Sequence, residues 1–416
     1  MTFDVSDVRT PVPDRDRRRY LTASGVALWG AQLAVVAVPL TAVTELSAGA
    51  SGTATLAATT AIAFMVLGLP VGAWLDTVRR RPVMITADLV RAVTLATVPL
   101  ADWLGALTFA HLWLVVAVNG IATVFFDLGT QSHLKDLAST DQLVRMNGRL
   151  ATLTQTALIC APPLAGWAAG IFTPAVVLAA TSAGYLWSAT WLSRLQTPEP
   201  APRRSEKRRH IIADIRDGIV FVRRQPVLLT VLGSGCLVNF GIAGTTAILP
   251  VYALDDLGWT QSQLGLFLGA GGLGGLAGAM TAERVAKRLG VGRSLLVIGI
   301  MLCPVAAVLP MTGSLVPGPV GAVAWATVVY KVGFDSVLMM SFRQAVTPSH
   351  LLGRVNGTMR VLFTGAVALG AGTAGVAAGL FGTVGAVIVA AGALGLAWVP
   401  VAVSPVARMT TLEGRS

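Results

Sequence analysis

The sequence predicts an all-α membrane protein in which twelve transmembrane helices form two pseudo-symmetric six-helix bundles. Hydrophobic residues make up 54% of the chain, charged residues make up only 12%, and the mean hydropathy is +0.71. These values exclude an ordinary soluble domain. One crossing needs about 20 apolar residues, so a chain of this length can supply about twelve. Basic connections alternate along the chain, and the second half repeats motifs of the first.

Apolar runs of membrane length divide the chain into spans, connections and tails. Residues 1–19 are polar and are predicted to be a cytoplasmic tail. The first apolar run is long enough to remain as a span, so no cleavable signal peptide is expected. The N-terminal bundle is predicted at 20–195, a cytoplasmic linker with an amphipathic helix at 196–225, the C-terminal bundle at 226–405 and a second cytoplasmic tail at 406–416. The predicted spans are 20–46, 53–76, 83–103, 108–131, 143–170, 173–194, 226–254, 261–282, 291–312, 318–342, 353–380 and 382–405.

The basic residues mark one side of the membrane. Of the 31 lysine and arginine residues, only Arg91 and Lys331 lie well inside predicted spans. By the positive-inside bias, both termini of this multi-pass protein are predicted to lie in the cytoplasm, with the protein in the cell membrane. The net charge of +11 then reflects basic residues that mark the cytoplasmic side and contact anionic membrane lipids. It does not indicate nucleic-acid binding. Connections predicted to lie outside lack lysine and arginine: 47–52, 104–107, 171–172, 255–260, 313–317 and 381.

The second half of the chain repeats the first. Phe126-Asp127 in span 4 matches Phe334-Asp335 in span 10, and Arg145-Met-Asn-Gly148 matches Arg354-Val-Asn-Gly357. Repeated six-span halves predict a pseudo-two-fold axis along the membrane normal and a central cavity between the halves, which is typical of a transporter. A duplicated channel or scaffold is the alternative.

One connection, Gly68–Pro82, combines closely spaced small residues with a lone acid and three arginines in the order GLPVGAWLDTVRRRP. It resembles the signature loop between helices 2 and 3 of the major facilitator superfamily. The segment ADLVRA (Ala87–Ala92) resembles the branch of proton-coupled drug, macrolide and siderophore exporters. Thr77 departs from the family pattern, which usually has a basic residue there. The resemblance implies a secondary transporter with alternating access, expected to be a monomer without cofactors.

Charged residues inside or beside the spans are candidates for function because intramembrane charge is costly. Asp88 and Arg91 lie one turn apart in span 3. In the superfamily, the acid and base of the signature loop join neighbouring acids in a cytoplasmic charge network that stabilises one conformational state. Static pairs that support folding are the alternative. The resemblance assigns the conformational role to Asp76, Arg80, Arg81, Asp127 and Arg91, with Asp88 beside them.

A second set of residues could couple transport to protons or line the cavity. Many exporters carry an intramembrane arginine in span 4, where this chain has Val116. Proton coupling is therefore predicted to rest on Asp127, Asp335 or Glu45. Lys331 and Asp335 are four residues apart, so their charges can meet on a helix, as a structural pair or as a coupling site. Polar residues that could line the cavity or join helices are Asn119, Gln155, Asn239 and Tyr330.

Small residues in spans 5 and 11 predict close helix packing. Their spacing in span 5 resembles the antiporter motif of superfamily exporters, with alanine in several glycine places. Small residues let helices approach closely and slide as the cavity changes side. The predicted packing residues are Gly148, Pro162 and Gly166 in span 5 and Gly357, Gly370 and Gly375 in span 11.

Residues typical of enzymes do not cluster in this sequence. The four histidines are scattered, the three cysteines lie in separate apolar runs, and no Walker-type loop occurs. We therefore predict no enzyme and no metal site. The sequence favours a secondary active transporter that exports an amphiphilic small molecule, such as a drug, antibiotic or siderophore-like metabolite, in exchange for protons. The alternatives are a lipid- or lysophospholipid-flipping porter and a non-transporting membrane scaffold or sensor.

Chemical labelling tests the predicted topology. A single cysteine introduced near Gly105, Gly258 or Gly313 is expected to react with an impermeant thiol reagent added to intact cells, because those connections are predicted to lie outside. A cysteine at Ser205, in the predicted cytoplasmic linker, is expected to react only after the cells are permeabilised. Labelling of the Ser205 position in intact cells would overturn the scheme.

Overall fold

The computed structural model describes residues 13–75, 77–134, 140–199, 219–348 and 351–409. The first half of the chain forms six long helices whose bounds agree with the predicted spans to within a few residues, except at the start of the first. These helices are α1 (Asp14–Thr44), α2 (Ala50–Leu75), α3 (Arg80–Trp103), α4 (Phe109–Leu134), α5 (Thr140–Ile171) and α6 (Pro174–Ser193).

The second half follows the same order of crossings. Its segments are α7 (Pro226–Val251) with a π-turn (Tyr252–Asp256), α8 (Gln261–Leu289), α9 (Val291–Leu302) continued by a 3-10 segment (Cys303–Met311), α10 (Gly318–Val346), α11 (Leu352–Gly395), α12 (Val399–Ala402) and a 3-10 turn (Pro405–Arg408). Gly382 breaks α11 with φ 75° and ψ 174°, a conformation that favours glycine. The two arms of α11 therefore correspond to predicted spans 11 and 12.

Ten of the described helical segments are long and apolar enough to cross a membrane. One of them runs from Leu352 to Ala402 and contains both arms of α11. Helix α5 is not one of the ten. It carries Gln155 and two internal prolines, but its 32 residues are enough to cross a membrane. With α5 and both arms of α11 counted, the described helices account for the twelve predicted crossings.

Helix packing follows the internal repeat. In the first half, α1 packs against α5 and α6, and α2 packs against α4. In the second half, the equivalent contacts join α7 to α11 and α8 to α10. The halves meet through α5 against α8 and α2 against α11, two contacts that the pseudo-two-fold axis exchanges. This arrangement is the predicted pair of six-helix bundles.

The cytoplasmic tail predicted at 1–19 is too long, because α1 already begins at Asp14. Asp16 is buried and its carboxylate accepts hydrogen bonds from the backbone N–H groups of Gln196 and Thr197, at 2.8 and 2.7 Å, and from the Thr197 hydroxyl at 2.7 Å. Arg19 is buried as well and pairs with Asp16 at 3.1 Å. These bonds clamp the start of α1 to the segment that follows α6.

The linker and the C-terminal tail are also shorter than predicted where the structure describes them. The segment from Gln196 to Thr197 belongs to the clamp on α1. Val406 is buried, and the carbonyl of Met409 accepts a 2.9 Å hydrogen bond from the backbone of Gly292. Residues 200–218 of the predicted linker, with most of its amphipathic helix, lie outside the described residues.

The two halves approach closely where α5 ends and α8 begins. A Cβ atom added to Gly166 would lie 2.3 Å from the carbonyl oxygen of Gln261. A Cβ atom added to Gly265 would lie 2.5 Å from the carbonyl oxygen of Pro162. Because both obstacles are backbone atoms, only glycine lets the helices touch here. These helix ends adjoin connections without basic residues.

Replacing Gly265 with alanine tests this contact. Gly265→Ala is expected to lower the melting temperature of the purified protein, because an overpacked contact costs about 1–3 kcal/mol. The matched control is Gly148→Ala on α5, where an added Cβ would meet nothing within 4 Å. That control is expected to keep or slightly raise the melting temperature, since alanine favours a helix over glycine by about 1 kcal/mol. Equal melting temperatures for the two variants would contradict the close contact.

Candidate functional site

Arg91 is the centre of a buried charge cluster in the first half. Its guanidinium pairs with the carboxylate of Asp88, one turn away on α3. The same guanidinium lies between the rings of Phe126 on α4 and Tyr185 on α6, with 4.1 Å from Cζ to each ring centroid. Both charged side chains are at most 1% exposed. An ion pair with two cation–π contacts thus stabilises the charge and ties three helices together.

Asp127 connects this cluster to the second half of the chain. It is partly buried on α4, one residue after Phe126, and lies within electrostatic range of Arg91 and of Arg360 on α11. The Arg360 guanidinium also lies 4.7 Å from the ring centroid of Phe64 on α2. Sequence reasoning missed Arg360, because it lies two turns from the start of α11 and resembles a basic residue at a cytoplasmic helix end.

The signature-loop arginines have partners other than the predicted network. Asp76 lies outside the described residues, so its role stays a prediction. The carboxylate of Glu199 accepts hydrogen bonds from the backbone N–H groups of Arg80 and Arg81, and so caps the N-terminus of α3. The Arg81 guanidinium donates to the carbonyl oxygens of Leu192, at 2.9 Å, and Ser193. The Arg81 guanidinium therefore binds the end of α6 in this conformation, and its role in the network with Asp127 stays a prediction.

Glu199 and His133 form a further contact near the start of α3 that the sequence reasoning missed. His133 Nδ1 lies 3.8 Å from Glu199 Oε1, and both side chains are largely buried. The His133 ring also lies against Tyr20 of α1, with 5.9 Å between ring centroids. Glu199 follows a proline in a segment that was interpreted as a linker, and no local pattern indicates that its partner is the start of α3.

Lys331 and Asp335 form an ion pair on one face of α10. Lys331 is 4% exposed and Asp335 is 5% exposed, so neither charge has bulk water as a partner. The Asp335 Oδ1 atom makes no hydrogen bond within the described part of the chain. The pair therefore leaves one carboxylate oxygen free to accept a proton or a hydrogen bond.

Asp335 also lines a cavity of about 190 Å³ between α7, α10 and α11. Asn239 lines it too, with its side-chain amide donating a 2.8 Å hydrogen bond to the carbonyl of Gly235. Arg343 adds a guanidinium whose Nε makes no hydrogen bond among the described residues. Most of the remaining lining is apolar: Val231, Val238, Val332, Met339, Met340 and Phe363, with Ser234, Gly235 and Ser336. A cavity with charged groups at an apolar wall suits an amphiphilic ligand.

The other polar candidates lie apart from this cavity. The Tyr330 hydroxyl shares a 2.6 Å hydrogen bond with the Thr281 hydroxyl and joins α10 to α8. Glu45 is exposed just after α1, where it accepts a 3.2 Å hydrogen bond from the Thr44 hydroxyl, and its assignment to coupling or the cavity stays a prediction. The Asn119 Nδ2 atom is buried without a hydrogen-bond partner in the described ranges. Gln155 is partly buried on α5.

The predicted packing glycines divide into three groups. Gly370 and Gly375 join Gly166 and Pro162 in tight contacts: added Cβ atoms would lie 2.2 Å from the Phe240 carbonyl and 2.7 Å from the Ala54 Cβ, respectively. Gly357 makes an ordinary contact, 3.5 Å from Leu69. Gly148 is exposed with nothing within 4 Å of an added Cβ. The packing role assigned to Gly148 is therefore wrong in this conformation, because α5 leaves its neighbours there.

The fold and the repeated halves agree with a comparison of the sequence to known families. A profile of the Major Facilitator Superfamily matches residues 20–371. The chain belongs to this superfamily. Its members are membrane transporters, not enzymes, and they bind small-molecule substrates, so the predicted family and the predicted absence of an enzyme activity agree with this membership.

Curated relatives of this superfamily member include two kinds of efflux protein. The chain is 26% identical over 383 residues to the multidrug efflux pump Tap of Mycobacterium tuberculosis, which covers 87% of this chain and 88% of the relative. It is 21% identical over 296 residues to macrolide efflux protein A of Enterococcus faecalis, which covers 70% of this chain and 90% of the relative.

Solved transporter structures share the fold. A bacterial homologue of the human lysosomal transporter Spinster, inward-facing and unoccupied, aligns with a TM-score of 0.75 at 12% identity over 97% of this chain and 99% of that one. A bacterial homologue of the iron transporter ferroportin, in an inward-facing state, aligns with a TM-score of 0.71 at 19% identity over 93% and 98% of the two chains.

Neutralising Lys331 and Asp335 separately and together tests whether the two buried charges compensate each other. Lys331→Met or Asp335→Asn alone is expected to reduce the yield of folded protein, because an uncompensated buried charge costs about 3–5 kcal/mol. The double variant is expected to recover much of that yield. The measurement is the monodisperse fraction in detergent chromatography. A double variant that is worse than either single variant would show that the two charges do not compensate each other.

Proposed function

We propose that this protein exports an amphiphilic small molecule across the cell membrane by proton antiport, with alternating access and both termini in the cytoplasm. The names of the two groups of efflux relatives support export. The distribution of basic residues supports the orientation. An amphiphilic substrate is favoured by the cavity beside Asp335, where an ion pair, the Asn239 amide and the Arg343 guanidinium adjoin methionine and phenylalanine side chains.

The buried Lys331–Asp335 pair at the cavity wall is the observation that carries the coupling proposal. Of the three acids predicted for this role, Glu45 is exposed at a helix end. Asp127 lies within electrostatic range of two cations, Arg91 and Arg360. Asp335 has one cation and a free carboxylate oxygen beside the cavity. A proton that binds Asp335 from outside removes its attraction for Lys331, and the return of that attraction releases the proton to the cytoplasm.

Alternating access is supported by the small-residue contacts between the halves. Where Gly166 meets Gly265, the backbones of α5 and α8 touch directly. On the symmetry-related side, Gly375 of α11 meets Ala54 of α2. Both contacts lie towards the outer ends in the proposed orientation, so the described conformation is closed on that side. Contacts without bulky side chains can separate and re-form with little rearrangement.

Transport in proteoliposomes tests this function. The parent protein is expected to move a fluorescent cationic amphiphile against its gradient when a pH gradient is imposed, and to stop when a protonophore removes it. The Lys331→Met/Asp335→Asn double variant is expected to keep exchange of labelled for unlabelled substrate but to lose at least tenfold of the pH-driven rate, about 1.4 kcal/mol. Asn239→Ala is the control that alters the cavity wall without removing a charge.

Two outcomes would contradict parts of the proposal. Transport by the double variant at the parent's rate, with unchanged pH dependence, would exclude Asp335 from coupling. Movement of a labelled phospholipid between leaflets, without movement of the soluble amphiphile, would favour the lipid-flipping alternative.

A further inference from the structure

A second cavity lies outside the transport path, between the start of α1 and the end of α6. Its volume is about 750 Å³. We call this cavity the α1–α6 groove, and its lining residues are Asp14, Arg15, Arg18, Arg19, Thr22, Trp191 and Arg194. The groove lies beside the clamp in which Asp16 holds the segment after α6.

Among the described residues, the lining of the groove carries more positive than negative charge. Arg19 pairs with Asp16, and its guanidinium also donates to the carbonyl of Arg194. Asp14 pairs with Arg17. The other three arginines of the lining, Arg15, Arg18 and Arg194, are exposed, and they make no ion pair within the part of the chain that the structure describes. Asp14 lies within electrostatic range of Arg18, but four arginines and one acid line the same concave surface. This excess of positive charge favours an anionic ligand.

The groove lies at the depth of lipid headgroups. Apolar residues of α1 begin at Tyr20, directly after the arginines. Trp187 and Trp191 of α6 and Arg194, directly after α6, follow one another at helical spacing. The ring centroids of the two tryptophans are 5.9 Å apart, and the Arg194 guanidinium lies 5.7 Å from the Trp191 ring centroid. Trp187 is 53% exposed. Tryptophan is typical of the membrane interface, so this stripe leads from the arginines into the acyl region.

We propose that the α1–α6 groove binds an anionic phospholipid, with its phosphate held by Arg15, Arg18 and Arg194 and one acyl chain lying along Trp191 and Trp187. Charge complementarity supplies the headgroup site, and the continuity from arginine to tryptophan distinguishes a lipid from a soluble phosphate. The assignment to the cytoplasmic leaflet rests on the proposed orientation, whereas binding itself does not. Bound lipid would link α1 to α6 next to the clamp of Asp16.

Native mass spectrometry of the full chain tests the proposal, with phosphatidylglycerol as the probe and phosphatidylcholine as its zwitterionic control. The parent is expected to retain one phosphatidylglycerol in preference to phosphatidylcholine. The variant Arg15→Gln/Arg18→Gln/Arg194→Gln is expected to bind phosphatidylglycerol at least about tenfold more weakly, because each basic residue near an anionic lipid contributes to attraction. Arg15→Gln/Arg18→Gln, which leaves α6 unchanged, provides a second variant if the triple variant folds poorly.

The matched control removes the same charge elsewhere. Arg284, Arg288 and Arg293 are exposed at the end of α8 and the start of α9, and their replacement by glutamine is expected to change phosphatidylglycerol binding less than twofold, by the same charge argument. Equal loss in both sets would show a general charge effect and overturn the site. Displacement of the lipid by millimolar glycerol phosphate would assign the groove to a soluble phosphate instead. If the parent protein binds phosphatidylglycerol but does not transport the amphiphile, that result would contradict the proposed function and leave the lipid site intact.

Discussion

The bilayer interior provides no water to stabilise a buried charge, and the internal structure of both halves depends on that constraint. The first half stabilises Arg91 with a carboxylate on its own helix and two aromatic rings from other helices. In the second half, the ion pair that the structure describes for Lys331 is the one with Asp335. The cation of the first half therefore ties helices together, whereas the cation of the second half lies in one helix beside a cavity.

The internal repeat makes this difference informative. Asp127 and Asp335 occupy equivalent positions in the two halves, each after a phenylalanine. Asp127 faces cations on α3 and on α11, so its environment depends on how the halves are arranged. Asp335 has its cation one turn away on α10, so its environment depends mainly on the state of the cavity. Equivalent acids in a duplicated fold therefore have different electrostatic surroundings.

The end of the first half that carries the start of α1, the start of α3 and the end of α6 is held by polar contacts between segments distant in the chain. Asp16 binds the backbone after α6, and Glu199 caps the start of α3. Arg81 makes a third such contact by donating hydrogen bonds to the last carbonyl groups of α6. These three side chains satisfy helix ends that the bilayer cannot solvate. These contacts therefore join α1, α3 and α6 at this end of the first half.

Hydropathy, charge distribution and the internal repeat predicted the number of crossings and the approximate helix bounds, and the resemblance of the loop Gly68–Pro82 indicated the family, because these properties reside in short stretches of the chain. The i and i+4 spacing likewise placed Lys331 beside Asp335. Tertiary structure alone decided that Arg360 approaches Asp127, that Glu199 caps α3 and that Gly148 packs against nothing. Those outcomes depend on which helix faces which across the bundle, and no local pattern encodes a partner more than a hundred residues away.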